Sequence, residues 1–154
     1  MISEKVIFNQ LSAFRIDLLF VLEDLTEEEA ELIPNGFRNN IRWNMGHILL
    51  DQYTWIYFQL NEETPYKEWE KYFGYGTTPE DFTKETPTYT ELLTLLKAQP
   101  DHIRETFMNR LSEKLLKVTE LEMSTIGEVL PRTMYHEGLH IGTIIAIKKL
   151  IRGM

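Results

Sequence analysis

Residues 125–153 read TIGEVLPRTMYHEGLHIGTIIAIKKLIRG and carry the best-defined helix pattern in the 154-residue chain. Thr125 and Glu128 have the spacing of a capping box, in which each side chain satisfies a backbone N–H at the start of a helix. Gly153 follows a last turn rich in Lys and Arg, whose charges suit the negative end of the helix dipole. Pro131 lies inside the segment and is expected to bend it. The pattern predicts one long helix.

Two histidines interrupt the apolar face of this helix. Helical spacing predicts an inward-facing stripe made of Val129, Thr133, His136, His140, Thr143, Ile147 and Leu150. Two imidazoles four residues apart lie one turn apart on the same face, where they can bind one metal ion as neighbouring ligands. Polar groups in such a stripe are costly unless they are hydrogen-bonded or metal-bound. The pair is therefore either a packing feature of the core or part of a metal site.

Helical spacing of apolar residues extends through almost the whole chain. It predicts further long helices at about 3–24, 41–60 and 88–111, and Pro100 should kink or split the last of these. No segment alternates convincingly between apolar and polar residues, so no strand is predicted. Four long helices in a chain of this size predict an all-α fold, a four-helix bundle that forms a single domain over residues 1–154.

A long connection at residues 61–87 separates the second and third predicted helices. It contains three prolines, two glycines and six aromatic residues. Because connections of this length are uncommon unless they are structured or functional, we expect it to fold back over the bundle and to shape a pocket. Its length also allows a crossover between helices 2 and 3 in place of a simple antiparallel hairpin.

A third histidine, His47, lies on the second predicted helix. Its neighbours at helical spacing include the apolar Trp43 and Leu50. The three histidines of the two helices could converge near the core and leave a coordination position for water or substrate, as in catalytic metal sites. His47 could equally be a hydrogen-bonded packing residue. Asp51 lies one turn further on. It could accept a hydrogen bond from a ligand imidazole and so orient it, or it could be exposed, and the sequence favours neither role.

The other candidate residues favour plainer roles. His102 lies near a helix interruption and is expected to be a surface or capping residue. The glutamates at 27–29 and 62–63 are expected on solvated faces. Glu137 projects about 100° around the helix from His136, so it is poorly placed as a ligand on the same face.

Composition excludes several classes of function. Lys and Arg total 16 against 24 Asp and Glu, which gives a net charge of -8 and disfavours binding to nucleic acid. The chain has no cysteine, so a disulfide scaffold, a thiolate metal site and a Cys nucleophile are excluded. The longest mostly apolar run, 141–147, is too short to span a membrane, and the N-terminus lacks the apolar segment of a signal peptide. We therefore expect a soluble, cytoplasmic protein without a membrane partner.

Two short motifs resemble a known family. The sequence WNMGHI at 43–48, followed by HEGLHIG at 136–142, is similar to the DinB-like superfamily of damage-inducible, bacillithiol-transferase-type, metal-binding four-helix bundles. The resemblance extends over essentially the whole chain in length, helix count, long middle connection and order of histidines. It implies that His47, His136 and His140 bind one divalent metal ion, which is zinc, nickel or iron in the family.

The same resemblance implies a homodimer and a small-molecule substrate. Some members of the family are thiol-dependent transferases or isomerases that use bacillithiol or mycothiol, whereas many have no established activity. The last family motif often continues with Gly-Gln, but here Gly142 is followed by Thr143, so no role carries over to that position.

Three neutral imidazoles and an open position leave three hypotheses. The site could hold the thiolate of a low-molecular-weight thiol, which makes the protein a thiol S-transferase acting on small electrophiles in stress or detoxification. It could instead lower the pKa of a water to about 7, as in a metal-dependent hydrolase. The third hypothesis is a non-enzymatic metal- or ligand-binding stress protein. A donor set of three histidines departs from the two-His-one-carboxylate triad, so oxygen chemistry is not predicted.

Overall fold

The computed structural model describes residues 3–153 and confirms the predicted all-α class. Six α-helices form, namely α1 (Glu4–Leu22), α2 (Glu27–Glu31), α3 (Ile41–Leu60), α4 (Glu70–Phe73), α5 (Tyr89–Phe107) and α6 (Ile126–Arg152). Four of them are long, and the short α2 and α4 lie in the connections. Over the described range no strand forms, and an isolated bridge pairs Lys114 with Thr125. Nor does any helix in that range combine the length and apolarity needed to cross a bilayer.

The long helices α3, α5 and α6 begin where the sequence supplies a capping side chain. At the start of α5, Thr88 Oγ1 accepts the backbone N–H of Glu91, and the Glu91 carboxylate accepts that of Thr88. At the start of α6, Glu128 accepts the backbone N–H of Thr125. The cap of α3 is Asn40, whose Oδ1 accepts a backbone N–H of the first turn. These caps satisfy donors that a helix leaves without partners.

The four long helices surround a common core in the order α1, α5, α3, α6. Helix α1 packs against α5 and α6, and α3 packs against the same two helices. The interior between them is filled by aliphatic and aromatic side chains. This arrangement brings α3 and α6, which carry the three histidines of the predicted site, side by side.

A buried arginine joins the four long helices at the centre of the core. Arg15 of α1 is 1% exposed, and its Nε donates to Glu137 Oε1 of α6 at 2.6 Å. Its Nη2 donates to the side-chain oxygens of Gln52 on α3 and Gln99 on α5. Its Nη1 donates to the carbonyl of Leu96 at 2.6 Å. A buried charge is tolerated when it is paired and hydrogen-bonded in this way.

The Leu96 carbonyl is free to accept Arg15 because of Pro100. In a regular helix the N–H of residue 100 would donate to this carbonyl, but proline has no N–H. Arg15 supplies the missing donor, and α5 continues through the proline from Tyr89 to Phe107. The helix is therefore not split at Pro100.

The buried face of α6 differs from the predicted stripe. Glu137 is 2% exposed at its centre, whereas Leu150 is 54% exposed. His136 and His140 are half-buried at the edge of this face. The physical reason is the ion pair with Arg15, which holds Glu137 towards the core and turns the histidines towards α3.

The long connection folds back over α3, as its aromatic content suggested. Helix α4 packs against α3 and buries Tyr72 and Phe73. The close approach requires Gly46 of α3, because a Cβ at that position would lie 2.4 Å from a carbon of the Phe73 ring. This contact places the backbone of residues 73–74 beside His47.

Candidate metal centre

The structure brings together the three histidines that the sequence singled out. His47 of α3 is buried, and one ring nitrogen of His47, His136 and His140 lies within 4.8 Å of those of the other two. The ring centroids of His136 and His140 are 4.6 Å apart, and that of His47 lies 4.8 Å from His140. His102, in contrast, is exposed and remote from this group, and its Nδ1 is 2.9 Å from the hydroxyl of Tyr53.

The His47 ring is oriented by a backbone carbonyl. Its Nδ1 lies 2.6 Å from the carbonyl oxygen of Phe73. Because a carbonyl oxygen can only accept, Nδ1 carries the proton and the lone pair is on Nε2. Trp43 stacks on the ring at a centroid distance of 4.6 Å, and its indole N–H donates to Thr77 Oγ1.

The His140 ring is oriented by an amide whose own direction is fixed. Its Nδ1 lies 2.7 Å from Oδ1 of the buried Asn44. The amide nitrogen of Asn44 donates to the backbone carbonyl of Asn40 at 2.7 Å, so the oxygen must face the imidazole. His140 therefore also carries its proton on Nδ1 and has a free Nε2.

The His136 ring is oriented by a carboxylate. Its Nδ1 lies 2.9 Å from Asp51 Oδ2, and the same oxygen accepts a hydrogen bond from Arg132 Nη1 at 2.9 Å. Burial raises the pKa of the Asp51 carboxyl, but the hydrogen bond and electrostatic interaction with His136, followed by the charge of Arg132, outweigh burial and lower this pKa overall. Asp51 is thus an ionised acceptor, and at 17% exposure it is also partly open to solvent. Of the two roles considered for Asp51, the structure supports the orienting one.

Electrostatics keep two of the imidazoles neutral. Burial lowers the pKa of His47, although the contact with the Phe73 carbonyl opposes this. Burial, together with the neighbouring His47 and His136, lowers the pKa of His140 to about 3. At neutral pH these rings are uncharged, which is the form that binds metal ions.

A cavity of about 600 Å³ opens over the three histidines. Its lining also includes residues 37–39 and 75–77 and, from α6, Thr143. Arg38 brings a cation to this lining, and Asn39 brings an amide whose Oδ1 is buried and has no hydrogen-bond partner among residues 3–153. The volume is in the range of small-molecule sites.

A second cavity, of about 380 Å³, is also lined by His47. Asp51, which contacts His136, and Phe73, whose carbonyl contacts His47, line it as well. Glu70 also lies in the lining. Tyr75 lines both cavities and is fully exposed. The aromatic connection therefore contributes to the walls of both spaces.

Sequence reasoning missed three groups that orient or support the site. Asn44 lies almost one turn before His47 on α3, so its spacing was a usable signal. Arg132 lies one turn before His136 on α6 and had the same kind of signal. The Phe73 carbonyl had none, because a backbone acceptor leaves no mark in the sequence.

Comparison with known proteins agrees with the fold and the motif order. A family model described as the DinB superfamily matches residues 10–144, a range that includes all three histidines. A crystal structure described as that of a conserved protein from Enterococcus faecalis is similar over 100% of this chain and 99% of its own, with a TM-score of 0.73 and 16% sequence identity. At this identity the likeness shows the fold alone. No curated protein matches the chain.

Proposed function

The chain belongs to the DinB superfamily, and on this premise we propose that it is a divalent-metal protein whose ligands are His47, His136 and His140. The observation that carries the proposal is the shared geometry of the three imidazoles. Each has its Nδ1 on a protein acceptor, which leaves the lone pair of Nε2 for a metal ion. The match and the four long helices also support one domain over 1–154 that forms a four-helix bundle. The length of the connection at residues 61–87 supports a crossover between its second and third long helices.

The chemistry of the donor set fits a divalent ion. Three uncharged nitrogen donors suit zinc, nickel and iron alike, and the sequence offers no thiolate that would select among them. The open side of the group faces the cavity of about 600 Å³, so coordination positions remain for a substrate.

The reaction we propose is transfer of a low-molecular-weight thiol to a small electrophile. His47, His136 and His140 would hold the divalent ion, which would supply a Lewis acid able to lower the pKa of a bound thiol or water. Since the chain has no cysteine, the thiol must come from the substrate. Arg38 suits an anionic group on that substrate, and Trp43 keeps water from one side of His47.

The metal is tested by mass spectrometry of protein purified without a His tag or added metal. Wild type should carry roughly one divalent ion per chain, and His47→Ala should carry none. His102→Ala is the matched control, since it removes an exposed imidazole that lies outside the group. Equal metal content in the three proteins would overturn the ligand assignment.

The reaction is tested by turnover of a panel of small electrophiles and esters with and without added thiols. S-transfer requires turnover that depends on both the metal and a thiol. Metal-dependent hydrolysis without a thiol would replace the transferase with a hydrolase. Metal occupancy without any turnover would leave a binding protein.

A further inference from the structure

We propose that Arg132 is a positioning residue of the metal centre, which acts on His136 by holding the carboxylate of Asp51. The inference rests on the proposed metal-binding function, because it concerns the orientation of one of the three ligands. Arg132, and Trp55, on whose ring Arg132 lies, are thereby added to the residues that support the site.

Two side chains of α3 contact two side chains of α6 beside the proposed metal site. Asp51 and Trp55 are one turn apart on α3, and Arg132 and His136 are one turn apart on α6. Asp51 Oδ2 accepts hydrogen bonds from Arg132 Nη1 and from His136 Nδ1, each at 2.9 Å. The guanidinium carbon of Arg132 lies 3.9 Å from the centre of the Trp55 ring, a cation–π contact.

The other two imidazoles do not need such a residue. His47 is held by a backbone carbonyl, which cannot rotate independently of the chain. His140 is held by Asn44, whose amide nitrogen is tied to a backbone carbonyl. Asp51 has no such tie, because its hydrogen bonds within residues 3–153 go to Arg132 and His136 alone.

Without Arg132, a partly exposed carboxylate would face His136 with no other fixed contact. The carboxylate could then turn towards the second cavity, which Asp51 also lines. His136 would lose the acceptor that selects its Nδ1–H form, and its Nε2 would point less consistently at the metal. Arginine suits the role better than lysine, because a planar guanidinium can stack on an indole and donate along its edge at once.

The first experiment measures metal affinity by competition with a chromophoric chelator. Asp51→Asn should raise the dissociation constant by about 10- to 100-fold, the usual effect of losing a hydrogen-bond partner that orients a metal ligand. Arg132→Ala should raise it by up to about 10-fold, because it acts one step further from the metal. Arg132→Lys should lie between wild type and Arg132→Ala. Arg110→Ala, which removes partly exposed ion pairs with Glu62 and Glu113 outside the site, should match wild type.

The double variant Arg132→Ala/Asp51→Asn tests the route of the effect. If Arg132 acts through Asp51, the double variant binds metal no more weakly than Asp51→Asn alone. An equal loss from Arg132→Ala in both backgrounds would show that Arg132 acts by another route and would overturn the proposal. Circular dichroism and the Arg132→Lys variant separate these results from a general loss of folding.

A metal-free readout separates this proposal from the proposed function. Ring nitrogen chemical shifts of His136 report its tautomer in the protein stripped of metal. The wild-type ring should be in the Nδ1–H form, and Arg132→Ala should show a mixture of the two tautomers, whereas Arg110→Ala should not. If wild type binds no metal, the proposed function fails while this result still tests Arg132. An unchanged tautomer in Arg132→Ala would refute the positioning role.

Discussion

Replacing Gly46 with alanine should weaken metal binding without touching a ligand. A Cβ at this position would lie 2.4 Å from a carbon of the Phe73 ring, about 1 Å closer than ordinary contact. Phe73 is fully buried, and Phe82 packs against its ring at a centroid distance of 5.5 Å. Burial and the contact with Phe82 restrict the ring, so we expect α4 to move away from α3.

The size of this movement decides what happens to His47. The carbonyl of Phe73 lies 2.6 Å from His47 Nδ1, so a shift of about 1 Å would take that distance to about 3.6 Å, beyond hydrogen-bonding range. Loss of such a partner behind a ligand typically costs 10- to 100-fold in metal affinity, and we expect an effect of about that size. The free energy of unfolding should change little. Overpacking lowers it by about 1–3 kcal/mol, but the higher helix propensity of alanine raises it by about 1 kcal/mol.

Gly138→Ala is the matched control. Gly138 also lies within a long helix, between the proposed ligands His136 and His140, but a Cβ there would meet no neighbouring atom of residues 3–153 within 4 Å. This variant should gain up to about 1 kcal/mol in the free energy of unfolding and keep wild-type metal affinity. Chelator competition and urea unfolding of both variants provide the test. If Gly46→Ala binds metal as tightly as Gly138→Ala, the coupling between α4 and His47 is refuted.

Three further results are expected elsewhere in the molecule. Arg15→Met leaves the buried Glu137 unpaired and should lower the free energy of unfolding by about 3–5 kcal/mol in urea, whereas a second Glu137→Met change should restore much of it. Asn44→Ala should raise the metal dissociation constant by about 10- to 100-fold and leave the helical signal of circular dichroism unchanged. The hydrogen bonds from Arg152 lower the pKa of Glu29 from 4.5 to about 2, so this pair stabilises the fold above about pH 4.5 and loses that effect as the pH falls towards 2. Unfolding of Arg152→Ala should therefore differ from wild type at pH 6 but converge with it near pH 2, and a constant difference would contradict the assignment.

The parts of the fold that the sequence predicted are those encoded locally. The expected helix at 41–60 coincides with α3, because its apolar residues recur at helical spacing throughout. The capping boxes at Thr88 and Thr125 mark the starts of α5 and α6 for the same reason, since a cap depends on residues three apart. The end of α5 was predicted four residues too late. The chain leaves the helix at Met108, and Asn109 adopts a left-handed backbone conformation that the apolar pattern does not reveal.

The parts that could not be predicted depend on contacts between distant residues. Arg15 and Glu137 are 122 positions apart, and an arginine in an apolar pattern reads as an exposed residue until its partners are known. The role of Asp51 could not be decided for a similar reason. Its two partners, Arg132 and His136, lie on α6, and only the packing of α3 against α6 brings them within reach.

The buried ion pair also explains why the histidine pair faces α3. Successive residues of an α-helix are separated by about 100°, so His136 lies about 100° to one side of Glu137. His140, three residues beyond Glu137, lies about 300° further round, which is about 60° to the same side. Once Arg15 holds Glu137 towards the centre of the core, both histidines must project from the same flank of α6, the flank that adjoins α3 and His47. The core therefore sets the rotation of α6, and the rotation places two of the three proposed ligands.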